Sequence, residues 1–268
     1  MIKVLITGAS GFIGKHVQNI LREPKFSVYP ASRMNQKGYI NFDPFNLVQS
    51  LKTLEEIAPH TVLNLSWHTA GLDYLISPKN QDALCWNASL FEVIAKSSVK
   101  QIISIGSSVE GGSTPYAKSK LIAREKFHDT FRDTDIKTSW LRIFQLYGPG
   151  QSSTRLIPSL FNHISNNSVF ALKNPTAIRD WIDVRDVADA IKCLIAEPVE
   201  SEFEIGTAVG TENQQICEFM HQKFGLRWRT SELSGSEVID RLVASNSTPL
   251  FKYFHPRRQL FEFLESYI

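Results

Sequence analysis

The stretch Lys3-Val4-Leu5-Ile6-Thr7-Gly8-Ala9-Ser10-Gly11-Phe12-Ile13-Gly14 leaves this chain few ways to fold. A short apolar run, Val4 to Ile6, is followed at once by three spaced glycines and a second apolar run with helical character, the pattern of strand, tight turn and helix. In such a turn Gly8 lets the chain reverse and Gly11 lets the backbone approach a pyrophosphate. Gly14 lets the helix sit close on the sheet. The helix start then offers unpaired N–H groups and a partial positive charge to phosphates. The spacing is G-x-x-G-x-x-G rather than G-x-G-x-x-G, and a tight strand–helix turn in any α/β protein can carry such glycines. Its place directly after a buried-type strand favours a dinucleotide cradle built by Gly8, Ser10, Gly11, Phe12, Ile13 and Gly14.

The rest of the chain suits that start. Apolar, strand-like runs at residues 3–7, 27–31, 61–65, 101–105 and 137–141 alternate with helix-compatible segments at 12–22, 47–57, 82–96 and 116–131. This alternation predicts an α/β fold, a Rossmann-like doubly wound parallel sheet covered on both faces. After Gly148-Pro149-Gly150 the pieces become short and rich in Asn and Ser, with helices predicted at 184–196 and 213–224. Residues 1–150, with 182–200 returning to them, are therefore expected to form the cofactor-binding domain. Residues 151–268 are expected to form a small C-terminal substrate-binding lobe over the carboxyl ends of the strands.

Composition narrows the function by exclusion. The net charge is +2 with no basic block, so neither nucleic acid nor a membrane surface is indicated as a partner. No apolar run reaches the length of a membrane span, and Met1 leads straight into a strand with no room for a signal peptide. The three cysteines are far apart and read as free thiols of a reducing cytoplasm, while the seven histidines form no H-x-x-x-H pair. No metal is expected.

Two stretches speak to chemistry. From Pro24 to Phe42 there is no Asp or Glu, while Ser32-Arg33 lies where a dinucleotide site places its ribose-binding residue. An arginine there accommodates a 2′-phosphate, so NADP(H) is favoured over NAD(H). Asp43, after a third short strand, is a candidate for contact with the adenine. Further on, Tyr116 and Lys120 are four residues apart and share a helix face. A free tyrosine, with a pKa near ~10, is a poor acid or base at neutral pH, and a neighbouring ammonium lowers that value. The preceding strand ends in Gly106-Ser107-Ser108, which brings two hydroxyls to the crevice.

With these residues in order, the chain resembles the extended short-chain dehydrogenases/reductases, the NAD(P)-dependent nucleotide-sugar epimerase/dehydratase/reductase family. Residues 7–14 resemble the family's cofactor turn, and Leu63-Asn64-Leu65-Ser66-Trp67 the strand end beside the cofactor ribose. Asn87 matches a helix asparagine usual in the family, and Tyr116 and Lys120 match its catalytic pair. Residues 141–150, Leu-Arg-Ile-Phe-Gln-Leu-Tyr-Gly-Pro-Gly, resemble the segment linking nicotinamide to substrate. Ile178-Arg179-Asp180-Trp181-Ile182-Asp183-Val184-Arg185-Asp186-Val187-Ala188 resembles the R-D-[FWY]-x-x-V-x-D-v-A signature, and Phe203-Glu204-Ile205-Gly206-Thr207 the N-I-G-T strand.

The resemblance implies roles. Tyr116 exchanges a proton at the sugar oxygen, Lys120 lowers its pKa and binds the nicotinamide ribose, and Ser107, with Ser108 as its rival, bonds the carbonyl oxygen. Leu65, Ser66, Trp67, Asn87 and Ile143 line the cofactor, Gln145 contacts the substrate, and Arg179 pairs with its diphosphate. It also implies a homodimer through the helices at 82–96 and 116–131, where Leu84, Leu90, Phe91 and Ile94 suit either an interface or packing on the sheet.

Two departures refine the expectation. Only nine positions separate Ser107 from Tyr116, so the usual longer loop and part of the substrate cover are missing. The dehydratase Asp-Glu pair is absent, with Glu110 one place late, and the epimerising Cys and His of the GDP-fucose synthase type align with Val109 and Arg155. The expected function is an NADPH-dependent reductase acting at C4 of a nucleoside-diphosphate 4-keto-6-deoxyhexose. The alternatives are an NAD-dependent 4-epimerase using the same pair and a dinucleotide-binding regulator without catalysis.

Overall fold

The computed structural model describes residues 1–231 and 240–267. Its organising strand is β1 (Ile2–Thr7), whose side chains alternate between two cores. Val4 and Ile6 point into one face and Leu5 into the other, and all three are fully buried. Burying such a residue contributes about 1.5–3 kcal/mol, which is why a strand apolar on both sides must lie mid-sheet.

The elements follow as α1 (Phe12–Ile20), β2 (Phe26–Ser32), β3 (Ile40–Asn41), α2 (Leu47–Ile57), β4 (Thr61–Asn64), α3 (Lys79–Ala95), β5 (Gln101–Ser107), α4 (Pro115–Phe131) and β6 (Lys137–Ile143). Then come β7 (Gln145–Tyr147), α5 (Leu156–Ser165), β8 (Val169–Leu172), β9 (Ile178–Asp183), α6 (Val184–Ala196), β10 (Ser201–Ile205), β11 (Gly210–Glu212) and α7 (Asn213–Phe224). The chain closes with β12 (Arg227–Thr230), β13 (Arg241–Leu242), a short 3-10 turn at Pro249–Lys252 and α8 (Leu260–Glu265).

Seven strands form one sheet in the order β10-β6-β5-β4-β1-β2-β3, with every neighbouring pair parallel. Helices α1 and α6 cover one face, while α2, α3 and α4 cover the other. The strand order reverses between β1 and β4, the switch point at which open α/β sheets take their ligands. Leu84, Leu90, Phe91 and Ile94 of α3 are all consumed by the second core, where Phe91 meets Phe127 and Phe131 of α4.

The segment after β6 changes sheets. Strand β7 pairs with β9, which also pairs with β11 and β13, and β8 pairs with β12. With α5, α7 and α8 these enclose a third core around Tyr147, Leu160, Trp181, Ile216 and Leu264. Residues 184–205 return to the large sheet as α6 and β10, the strand adding an edge beside β6.

Local chemistry sets the ends of the elements that matter to the site. Thr114 caps α4 by accepting the Ala117 N–H at 3.2 Å, and Pro115 occupies the first turn, where a missing N–H costs nothing. That start is what puts Tyr116 at the crevice end of α4.

Candidate active site

The glycine turn is shaped by contacts that no side chain could share. Gly8 has φ +68, and a Cβ on it would lie 2.7 Å from the Leu65 carbonyl carbon and oxygen at the exit of β4. A Cβ on Gly14 would lie 2.5 Å from the Ala9 oxygen and 2.6 Å from the Gly8 oxygen, so Gly14 fits the helix to the turn beneath it rather than to the sheet. Gly11 is the N-cap of α1 and provides no side-chain acceptor, and the first turn holds no acidic residue. The positive end of the helix therefore has no anion of its own first turn against it. This is a cradle that fits the pyrophosphate of a dinucleotide.

A cleft of about 1910 Å³ runs from this cradle across the ends of β1, β4, β5 and β6 into the second lobe. It is lined by the expected Gly8, Ser10, Gly11, Phe12, Ile13, Gly14, Ser32, Arg33, Leu65, Ser66, Trp67, Asn87, Ser107, Ser108, Tyr116, Lys120, Ile143, Gln145 and Arg179. Arg33 is exposed at one end, while the Ser32 hydroxyl accepts the Met34 N–H at 3.1 Å and so shapes the loop that carries it. Asp43 does not line the cleft. Its carboxylate accepts the Phe45 N–H at 3.2 Å and its carbonyl the Ser50 hydroxyl at 2.8 Å, so it builds the turn into α2, and its neighbours Phe42 and Phe45 face the cleft instead.

Where β5 ends and α4 begins, Ser107, Tyr116 and Lys120 converge. The Ser107 hydroxyl faces the Tyr116 phenol closely enough to oppose the rise of its pKa. Ser108 instead has its N–H on the Ile143 carbonyl at 3.0 Å. The cover missing between residues 107 and 116 comes from the loop after β4. Trp67 and Tyr74 meet the Tyr116 ring edge-on at 6.2 and 5.3 Å between centroids, and the Tyr116 N–H donates to the Leu75 carbonyl at 3.0 Å.

The electrostatics differ from the sequence expectation. Burial pushes the Tyr116 phenol well above the usual tyrosine range, and Lys120 does not offset it. The Lys120 ammonium donates to the Ile105 carbonyl at 2.7 Å and lies 3.8 Å from the Trp67 ring centre. Burial brings the Lys120 pKa down to about 7, against the upward pull of the Glu110 carboxylate.

On the far wall, the Arg179 guanidinium is held by the Ile178 carbonyl at 2.8 Å and makes no ion pair among the described residues. Arg155, at the N-cap of α5, donates to the Thr69 carbonyl at 2.9 Å and stacks 4.5 Å over Tyr74. It clasps the covering loop rather than shuttling protons.

Sequence reasoning missed a buried polar row beneath the cleft. Thr7, Asn64 and Ser104 are register partners across β1, β4 and β5. Thr7 Oγ1 donates to Asn64 Oδ1 at 2.9 Å, and Asn64 Nδ2 donates to Ser104 Oγ at 2.8 Å and to Asn87 Oδ1 at 2.6 Å. Asn87 Nδ2 completes the row on the Ser66 carbonyl at 3.2 Å. Asn87 thus supports the cradle wall by orienting the β4 exit. The readable signal was a polar residue ending each of β1 and β4 and a serine in the middle of the apolar run of β5.

The comparisons with known proteins agree with this geometry. The family model described as "NAD dependent epimerase/dehydratase family" matches residues 4–206. The chain is 28% identical over 254 residues to the GDP-6-deoxy-D-talose 4-dehydrogenase of Aggregatibacter actinomycetemcomitans, covering 82% of this chain and 81% of that protein. Among solved structures, the UDP-glucose 4-epimerase of Thermus thermophilus in complex with NAD superposes with a TM-score of 0.81 at 18% identity, covering 98% of this chain and 96% of that one. RMD from Pseudomonas aeruginosa complexed with NADPH gives a TM-score of 0.81 at 19% identity, with 98% and 96% covered. With cradle, cleft and tyrosine–lysine pair in one crevice, and a family match over most of its length, the chain belongs to the NAD dependent epimerase/dehydratase family, among the extended short-chain dehydrogenases/reductases.

Proposed function

We propose that the protein is an NADPH-dependent reductase acting at C4 of a nucleoside-diphosphate 4-keto-6-deoxyhexose. The observation that carries the reading is the convergence of Ser107, Tyr116 and Lys120 in a cleft whose other end presents Arg33. The relative of the same coverage has a name that puts its chemistry at position 4 of a GDP-linked 6-deoxysugar.

Bound NADPH supplies the hydride; the chain supplies position and proton. Arg33 pairs with the 2′-phosphate, and the N–H groups at the start of α1 take the pyrophosphate. Ser107 donates a hydrogen bond to the sugar carbonyl oxygen, and the Tyr116 phenol gives that oxygen its proton. Burial raises the Tyr116 pKa and so keeps the phenol in the protonated form that donation requires, while weakening it as an acid. Lys120 binds the nicotinamide ribose, and Arg179 holds the diphosphate of the sugar nucleotide in the second lobe.

Purified protein should oxidise NADPH when given a nucleotide-linked 4-keto-6-deoxyhexose, followed at the nicotinamide absorbance. No oxidation with any such sugar would sink the reading. A 4-epimerase would use the same tyrosine and lysine, and the likeness to an NAD-bound epimerase favours keeping it as the second reading. It predicts turnover of a nucleotide hexose with no net change in nicotinamide.

A further inference from the structure

Three residues after Ser107, Glu110 turns away from the cleft and back under the chain. Its Oε1 accepts the Ser107 N–H at 2.6 Å and the Trp140 indole N–H at 3.1 Å, and its Oε2 lies 3.6 Å from the Arg124 guanidinium. The Glu110 side chain is only 2% exposed, so this is an ionisable group enclosed beneath the reacting residues. The backbone is built to admit it: a Cβ on Gly106 would lie 2.2 Å from Glu110 Oε1 and 2.4 Å from Trp140 Nε1. A glycine at 106 is therefore what lets a carboxylate occupy the space behind the β5 strand end.

We propose that Glu110 is a positioning residue, holding the Ser107 backbone in place from below and acting as the buried counter-charge of the Lys120 ammonium. A neutral side chain could serve the first task; the second requires the charge. Lys120 and Glu110 meet the same strand end two residues apart, the ammonium on the Ile105 carbonyl at 2.7 Å and the carboxylate on the Ser107 N–H at 2.6 Å, and the carboxylate opposes the fall that burial imposes on the Lys120 pKa. Burial raises the pKa of Glu110 itself, and the Ser107 and Trp140 N–H groups, Lys120 and Arg124 all pull it back down. The groups facing the pair are Tyr116 and Arg124 of α4, Trp140 of β6 and the Trp67 ring, and Arg124 continues to Glu202 of β10 at 3.8 Å. Removing the negative charge lowers the pKa of Lys120 and of Tyr116 alike, because Glu110 raises both.

Direct titration tests this without any substrate. In protein labelled with ¹³C at lysine Cε, the Lys120 resonance is assigned by its loss in Lys120→Met. Glu110→Gln, which keeps an oxygen for the Ser107 N–H, should move the Lys120 midpoint down by about half a pH unit or more, and Glu110→Asp should return it toward the parent value. A midpoint unchanged in Glu110→Gln would overturn the proposal. Should that variant not fold, the Glu110 Cδ resonance of the parent protein decides. It must ionise below the Lys120 midpoint, and a carboxyl still protonated where Lys120 titrates is equally fatal.

The effect on turnover rests on the reductase reading. There, Glu110→Gln should lower kcat by about tenfold to a hundredfold, with little change in KM for NADPH, and move the alkaline limb of the pH profile to lower pH. Absence of turnover in the parent protein would count against the reductase reading alone, since the lysine titration stands apart from it.

Discussion

The Lys120 ammonium donates its hydrogen bond to the Ile105 carbonyl, at 2.7 Å, from within a site where its pKa is brought down to about 7. The unfolded chain, with an ordinary lysine near ~10.4, binds more protons than the folded one between those values, so the cost of burying Lys120 is relieved as pH rises. Urea denaturation of the parent and of Lys120→Met, from about pH 6 to about pH 9, should show the parent gaining on the variant above about pH 7. The slope cannot exceed about 1.4 kcal/mol per pH unit. A difference that stays flat across that range would contradict the buried ammonium.

In the proposed reduction the phenol of Tyr116 gives a proton to a substrate oxygen beside Ser107. Tyr116→Phe removes the proton and little else, since Trp67 and Tyr74 pack against the ring. Turnover should fall by about 10²- to 10⁴-fold while NADPH still binds, as read by fluorescence titration. Unchanged turnover would remove the tyrosine from the mechanism.

Methyl groups added to the cradle should be felt as overpacking against backbone. For Gly8→Ala the left-handed φ adds to the clash with Leu65, and for Gly14→Ala the new Cβ meets two carbonyl oxygens. Each should cost about 1–3 kcal/mol in a urea midpoint experiment and weaken dinucleotide binding. Full retention of both would mean that the turn is far more pliable than described.

Asn64 serves the polar row with both halves of its amide. Replacing it by leucine leaves Thr7, Ser104 and Asn87 short of partners, at about 1–3 kcal/mol for each group left unmet. Thr7→Val, which removes a single bond, should be the milder of the two. Equal stabilities of both variants and the parent would mean that the row contributes nothing.

Arg33 is exposed and has no ion-pair partner among the described residues, so its removal should spare the fold. Arg33→Ala should raise KM for NADPH by about ten- to a hundredfold, the worth of one charge-assisted hydrogen bond, and leave NADH almost untouched. Parallel changes for both cofactors would take the 2′-phosphate role away from it.

The large sheet was legible because its strands are buried on both faces and read as unbroken apolar runs. Residues 61–64, 101–107 and 137–143 stand within two residues of where that pattern put them. In the second lobe the helix at 213–224 was legible too, but the strands were not, since β7, β11 and β13 have two or three residues each and lie mostly at half-buried or exposed positions, so no period can emerge. In the site, spacing along α4 sufficed to pair Tyr116 with Lys120. It could not choose Ser107 over Ser108, because the direction of a hydroxyl at a strand end depends on the turn that follows. Glu110 and Asn64 were overlooked for a related reason: their roles come from neighbours 30 and 23 residues away, Trp140 and Asn87, which only the packed sheet brings together. The bond that Asp43 makes to the N–H two residues on was likewise invisible, because it leaves no mark on the sequence.

The chain passes from β6 to β7 with Phe144 as the sole residue between the two sheets, and the Phe144 N–H is itself bound to the Ile205 carbonyl of β10 at 3.1 Å. Ile143 on one side and Gln145 on the other are thus tied by a link too short to slacken. Whatever the second lobe does on meeting a ligand, the cleft wall at Ile143 and the cleft wall at Gln145 must travel as one piece. Any opening of the cleft has to come from its other rim, where the loop carrying Tyr74 is fastened by Arg155.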